Sequence, residues 1–209
     1  MSFSGRLRPV RVIGFNPHQS RLEGFTLIEL MVTLAVAAIM LTIAVPSFQE
    51  FIGSNRLTSE ANGFLTSLNL ARSEAIKGNV RVTLCVSSNG TSCAASGGWE
   101  LGYIVFRDLN SNGAVDSDDT VLRVSGPLRF GITLRGSDAD ISKAITYASS
   151  GQVTSFGSAS RELVICDNRV KAFATDKNKA RVILLRRLGG SKALKGDDPA
   201  VTVTSCTPT

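Results

Sequence analysis

The sequence predicts an α+β chain: a long N-terminal helix, apolar in its first half and amphipathic in its second, packed against an antiparallel β-sheet domain. Three observations predict it. An apolar run with one charge occupies 25–45, helical periodicity resumes over 46–77, and beyond Gly78 short strand-like runs alternate with Gly, Ser, Asn and Asp. At 209 residues, the chain is long enough for one membrane element and one compact domain of ordinary size.

Residues 1–24 form a basic leader. Arg6, Arg8, Arg11 and Arg21 lie there, opposed only by Glu23, and taking these five charges from the 23 basic and 17 acidic residues leaves 19 against 16. The remainder is therefore only mildly basic, and partner chemistry must be read from local clusters.

The run from Phe25 to Val45 reads FTLIELMVTLAVAAIMLTIAV, 21 residues with one charge and no Gly or Pro. As a helix it spans a bilayer core. It begins too late and continues too long for the apolar core of a cleavable secretory signal. The upstream arginines keep the N-terminus cytoplasmic and place everything after Val45 outside. Glu29 is the anomaly, because a charged residue within a spanning helix costs roughly 2.5 to 3.5 kcal/mol even on lenient scales. Either it snorkels from near the helix end or it has a partner.

Residues Gly24 to Val36, GFTLIELMVTLAV, resemble the type IV prepilin processing site. The resemblance implies cleavage after Gly24 by prepilin peptidase, N-methylation of the new terminal residue Phe25, and a role for Glu29 in assembly. The physics is coherent. The Phe25 amine becomes a cation within an apolar filament core, where Glu29 of a neighbouring subunit can neutralise it and set the axial register. Pro46 and Gly53 also match the family's helix, which bends or loosens past its membrane half. Proline costs about 3 kcal/mol in a helix interior, so distortion is expected between Ala44 and Phe48, the alternative being a helix end at the membrane surface. Periodicity then continues through Ala61, Phe64, Leu65, Leu68, Ala71 and Ala75, an apolar stripe for packing on the domain.

The domain at 78–209 offers strand-like runs at Val80–Val86, Trp99–Phe106, Thr120–Val124, Lys143–Tyr147, Arg161–Cys166 and Ala180–Leu185. An early cysteine pair in a hairpin, a strand opened by Trp99, an Asp/Asn-rich loop and a late strand followed by basic residues resemble, in that order, the GspH/FimT branch of minor pilins and pseudopilins. The resemblance implies a structural subunit of a type IV pilus or of a type II secretion pseudopilus. It would be anchored in the bacterial inner membrane with its domain periplasmic. Other pilins or pseudopilins and the inner-membrane assembly platform would be its partners.

Cys85, Cys93, Cys166 and Cys206 all follow the apolar run and so share a compartment. With no CxxC pair and no accompanying histidine, disulfides in an oxidising periplasm are the better reading than zinc. Asn89-Gly90 is a hairpin-turn signal between Cys85 and Cys93, so these two can face each other, and Cys166 would then pair with Cys206. Crossed pairing and free thiols are the alternatives. The second bond would close a loop of about 40 residues and stabilise by roughly 3 to 4 kcal/mol in the chain-entropy model.

Enzymatic readings fare badly, since the only histidine, His18, lies in the leader. No cofactor is expected. One loop nevertheless carries calcium-loop spacing, with oxygen donors at Asp108, Asn110, Asn112, Asp116 and Asp119 and Gly113 at its sixth position. It lacks the usual terminal Glu and has strand-like flanks, so a polar turn is preferred over a metal site. The stretch from Lys171 to Lys195 holds eight basic residues against Asp176 alone, an electrostatic footprint for a phosphate backbone. The FimT resemblance makes DNA capture in natural transformation the alternative function, with Lys179, Arg181, Arg186, Arg187 and Lys192 as the contacts. The family's Gly-Arg-X-Arg element is only partly matched by Gly189-Gly190-Ser191-Lys192. A solvated face or a contact with a neighbouring pilin competes with that reading.

Overall fold

The computed structural model describes residues 24–155 and 160–206. The leader arginines and His18 lie outside the described residues. The chain divides between Pro46 and Ser47 into two units.

Helix α1, Leu27–Gly78, is uninterrupted, so neither Pro46 nor Gly53 ends it. The described residues of the first unit are exposed throughout, and the helix is long and apolar enough to cross a membrane. In the second unit Leu57, Ala61, Phe64, Leu68, Ala71 and Ala75 are buried, spaced three or four apart and hence on one stripe. Leu65 is only partly buried. Ser67 lies on the stripe instead, its hydroxyl 2.8 Å from the Tyr103 hydroxyl, so a polar group buried there keeps a partner.

Among the described residues eight strands follow: β1 Arg81–Val86, β2 Tyr103–Asp108, β3 Thr120–Ser125, β4 Thr133–Gly136, β5 Ala144–Tyr147, β6 Arg161–Cys166, β7 Arg181–Leu185 and β8 Ser191–Lys195. They form two four-stranded sheets, in the orders β3-β2-β1-β5 and β4-β6-β7-β8, and every pairing is antiparallel. Because side chains alternate along a strand, each sheet turns one apolar set toward α1: Leu84, Val86, Tyr103 and Val105 from the first, Leu134, Leu163, Ile183 and Leu185 from the second. An aromatic trio ties helix to sheet. Phe64 meets Trp99 and Tyr103 edge-on at 5.1 Å each, and Trp99 Nε1 donates to the Ile141 carbonyl at 2.9 Å. Such ring pairs contribute about 0.5 to 1.5 kcal/mol beyond their burial.

The structure departs from the sequence expectation in four places. The domain has two sheets where the strand pattern suggested one, and β4 and β8 were not anticipated. Ser-Lys-Ala-Leu-Lys has no β-branched residue, so β8 owes its strand to pairing with β7 and not to propensity. The strand expected from Trp99 begins instead with a 3-10 turn, Trp99–Leu101, followed by Gly102 at φ +107°, where a Cβ would meet the Ser87 and Ser125 carbonyls. Finally, Asn89-Gly90 does not close a hairpin. β1 pairs with β2 and β5, and the Asn89 side chain accepts from the Thr91 and Ser92 amides to build a local turn.

Gly53 has a specific physical role. The Arg169 guanidinium lies where a Cβ would stand, held there by Asp167 at 2.8 Å and by the Glu50 carboxylate and carbonyl at 3.1 and 3.0 Å. In an unobstructed helix Gly→Ala gains roughly 0.8 to 1.0 kcal/mol. Here Gly53→Ala is expected to lower stability, because it displaces a guanidinium from charged partners. In an Arg169→Ala background the same substitution should become stabilising. Thermal unfolding of the detergent-solubilised four-variant set reads this sign inversion, and additive effects would contradict it.

Candidate functional site

At the N-terminus the residues form an ordered helix start. Thr26 precedes the first helical residue, its hydroxyl accepts the Glu29 amide at 3.3 Å, and its carbonyl accepts the Leu30 amide at 3.1 Å. Thr26-x-x-Glu29 thus has the spacing of a capping box. Glu29 lies in the first turn of α1, where the positive end of the helix favours a carboxylate. Phe25 and Glu29 are both exposed. A cation at Phe25 would stand beside that positive end. A carboxylate is the group needed to neutralise it.

The four cysteines are joined Cys85–Cys93 and Cys166–Cys206, with Cα separations of 5.5 and 5.9 Å. The second bond fastens the C-terminal tail over the outer face of the second sheet, where Val201, Val203 and Phe173 cover Val164 and Val182. A second fastening was not anticipated. Glu162, 4% exposed, accepts from the Val203 amide at 2.6 Å, the Thr202 amide at 2.8 Å and the Thr202 hydroxyl at 3.1 Å. The sequence signal was a lone acid within an apolar strand, which must find donors when buried.

In the Asp/Asn loop the oxygen donors are engaged within the chain. Asp108 accepts the Asn112 and Gly113 amides and the Thr83 hydroxyl, Asp119 accepts the Leu109 and Asp116 amides, and Asp116 accepts the Asn110 and Asn112 side-chain amides. Among the described residues no three His, Cys, Asp or Glu side chains converge as metal ligands.

The basic stretch separates into two groups. Arg181 is buried at 9% exposure and donates to Ser54 Oγ at 2.6 Å, Thr58 Oγ1 at 3.2 Å and the Ala180 carbonyl at 2.9 Å. Burial is the main cause that lowers its pKa from the ordinary guanidinium value, reinforced by Arg169 and opposed by Asp197 and Asp167. Its assignment as a DNA contact is therefore corrected. The first residue of β7 turns inward, and its charge fastens α1 to the sheet. Lys179 is paired with Asp176 at 3.0 Å. Arg186, Arg187 and Lys192 remain exposed at the β7–β8 turn. Beside them a shallow cavity of about 80 Å³ is lined by Leu184, Arg186, Gly190, Ser191 and Lys192. The turn is tied to the helix by Arg72, whose guanidinium donates to the Leu188 carbonyl at 3.0 Å.

The family model "Type II transport protein GspH" matches residues 60–189, and the prokaryotic N-terminal methylation motif matches residues 20–45. The chain belongs to the GspH family. A GspH-family domain therefore follows a methylation-motif helix. The type IV minor pilin FimU of Pseudomonas aeruginosa has this fold, with a TM-score of 0.53 at 21% identity over 73% of this chain and 96% of that one. The pilin-like protein PilA1 of Thermus thermophilus is 33% identical over 96 residues, 45% of this chain and 53% of its own length. This GspH-family chain thus spans about half the length of the curated relative it matches. The minor pseudopilin EpsH of Vibrio cholerae is a more distant structural match, with a TM-score of 0.46 at 14% identity over 68% of this chain and 99% of that one.

Proposed function

We propose that this chain is a minor pilin or pseudopilin, made as a precursor in the bacterial inner membrane with its N-terminus cytoplasmic and its domain periplasmic. Prepilin peptidase cleaves after Gly24 and the Phe25 amine is methylated. The mature helix then passes from the membrane, through the assembly platform, into a type IV pilus or type II secretion pseudopilus. The observation that carries this reading is the conjunction at one helix start: Thr26 capping α1, Glu29 in the first turn, and an apolar run with every residue exposed. An exposed apolar helix face must be covered by lipid or by other helices. Only an anchor that later packs among like helices uses both environments.

Glu29 acts as the charge partner of a neighbouring subunit's methylated amine. The domain contributes surface and rigidity, with α1 clamped to the sheets by Arg169, Arg181 and the aromatic trio. In a peptidase-deficient host the chain should remain full-length in the membrane and be absent from sheared surface filaments. In a competent host it should appear in both fractions. Full-length chain recovered in filaments would contradict the proposal.

A further inference from the structure

The connection between β6 and β7, residues 167–180, is tied to α1 at Glu50. Arg169 donates to the Glu50 carbonyl at 3.0 Å and pairs with its carboxylate at 3.1 Å. Glu50 lies five residues after Val45, where the apolar run ends. Five residues cover about 7.5 Å as helix and at most about 18 Å fully extended, so the chain itself keeps this connection within that reach of the membrane exit. The headgroup layer adds roughly 5 to 8 Å on each side of the hydrocarbon core.

The charges of the connection are unevenly used. Asp167 and Glu50 are taken by Arg169, and Asp176 by the Lys179 ammonium at 3.0 Å and the Lys171 and Ala172 amides at 3.2 and 3.4 Å. Lys171 and Lys177 are exposed, flank the short helix α2, Phe173–Asp176, and have no acidic partner among the described residues. Asp197 and Asp198 adjoin them, since the Gly196 amide donates to the Ala180 carbonyl at 3.2 Å, but exposed Lys195 stands beside these acids and leaves cations in excess. Just past the apolar run, Phe48 and Phe51 are 63% and 62% exposed, with their rings stacked at 6.4 Å. Rings of this kind enter the boundary between headgroups and acyl chains, where ammonium groups meet phosphates. Arg186 and Arg187 belong elsewhere. Their turn is tied to Arg72, 22 residues and about 33 Å further along α1 than Glu50. The basic stretch is therefore divided between the two ends of the domain's helix, with Lys171 and Lys177 at the end nearer the membrane exit.

We propose that Lys171 and Lys177, together with Phe48 and Phe51, dock the domain on anionic phospholipid headgroups of the membrane that holds α1. The inference rests on the membrane-anchored precursor described above. Each lysine near an anionic surface shifts such an equilibrium roughly five-fold, and tethering by α1 supplies a high effective concentration, so two lysines suffice. The domain is held on the bilayer while its helix is in the membrane and is released when the helix leaves.

The test uses the full-length chain reconstituted in vesicles of phosphatidylcholine alone or mixed with phosphatidylglycerol. All four native cysteines are paired, so an introduced one is the free thiol for a fluorophore. Ala174→Cys reports on α2 and Leu188→Cys on the β7–β8 turn, each read by quenching from a lipid spin-labelled on its headgroup. At Ala174→Cys quenching should be several-fold stronger in the anionic vesicles, whereas Leu188→Cys should not distinguish them. Lys171→Gln with Lys177→Gln should lower the docking equilibrium about 25-fold and remove the difference, as should high salt, while Lys171→Arg with Lys177→Arg should retain it. Equal quenching at Ala174→Cys in both vesicles, indifference to the glutamine pair, or the same response at Leu188→Cys would each overturn the proposal. Duplex DNA that binds the chain in phosphatidylcholine vesicles and is lost with the glutamine pair would overturn it in favour of nucleic acid. A chain that floats with both vesicles yet shows no charge-dependent quenching removes the docking alone. One that floats with neither removes the membrane reading and this proposal with it.

Discussion

Glu29→Ala is expected to leave the chain inserted in the membrane and to lower its incorporation into filaments by about a hundred-fold or more. Insertion depends on the apolar run, whose one charge the substitution removes, and removing a carboxylate from a spanning helix lowers an insertion cost of roughly 2.5 to 3.5 kcal/mol. Assembly depends on the opposite quantity. Once the helix enters a filament core, a methylated amine at Phe25 is desolvated beside the positive end of α1. Taking away one partner of a buried ion pair costs about 3 to 5 kcal/mol because the other charge is left unpaired. At about 1.4 kcal/mol per decade this is on the order of a hundred-fold to a few thousand-fold. Glu29→Gln keeps the shape and loses the charge, so it should share the defect. Quantifying each variant in membrane and sheared fractions checks this, and equal ratios for wild type and both variants would contradict it.

The second large effect concerns the tail. Replacing Cys166 and Cys206 together by Ser opens a loop of 40 residues, for which the chain-entropy model gives about 3 to 4 kcal/mol. Domains of this size shift by about 2 to 4 °C per kcal/mol, so melting should fall by roughly 10 °C. The loss is not only entropic. Freed of the bond, the tail is held by Glu162 and by Val201 and Val203 packing on the outer sheet face. In the Cys166→Ser, Cys206→Ser background Glu162→Ala should therefore cost less than it does in the wild type, because part of what it held has already detached. Thermal unfolding of the four variants in detergent measures this coupling. A Cys166→Ser, Cys206→Ser variant that melts with the wild type would show that the tail lies outside the cooperative unit.

The parts of the molecule legible in sequence were those with strong periodicity or a dedicated motif. The apolar run, the stripe through Ala61, Phe64, Leu68, Ala71 and Ala75, and the strand Arg161–Cys166 follow from residue spacing alone. What stayed hidden was decided by tertiary contact. β8 forms because β7 offers it an edge, and Trp99 turns away from the strand because Gly102 packs closely between two carbonyls. Arg181 shows the same limit at the candidate site. Counted by composition it joins a basic cluster, but at the head of an apolar strand it faces inward and finds Ser54 and Thr58. Gly53 was read as a point where the helix loosens, whereas the structure also makes it the seat of the Arg169 guanidinium, a partner 116 residues away in sequence.

The central claim is that the mature protein starts at Phe25 and carries a methylated cationic amine for which Glu29 is the partner. Intact-mass measurement of protein purified from filaments of a peptidase-competent host tests it most directly. The expected N-terminal fragments begin at Phe25 and carry one added methyl group on the Phe25 nitrogen, with both disulfides formed in the intact chain. A filament-derived chain that begins at any other residue, or that begins at Phe25 with an unmodified amine, would contradict the account.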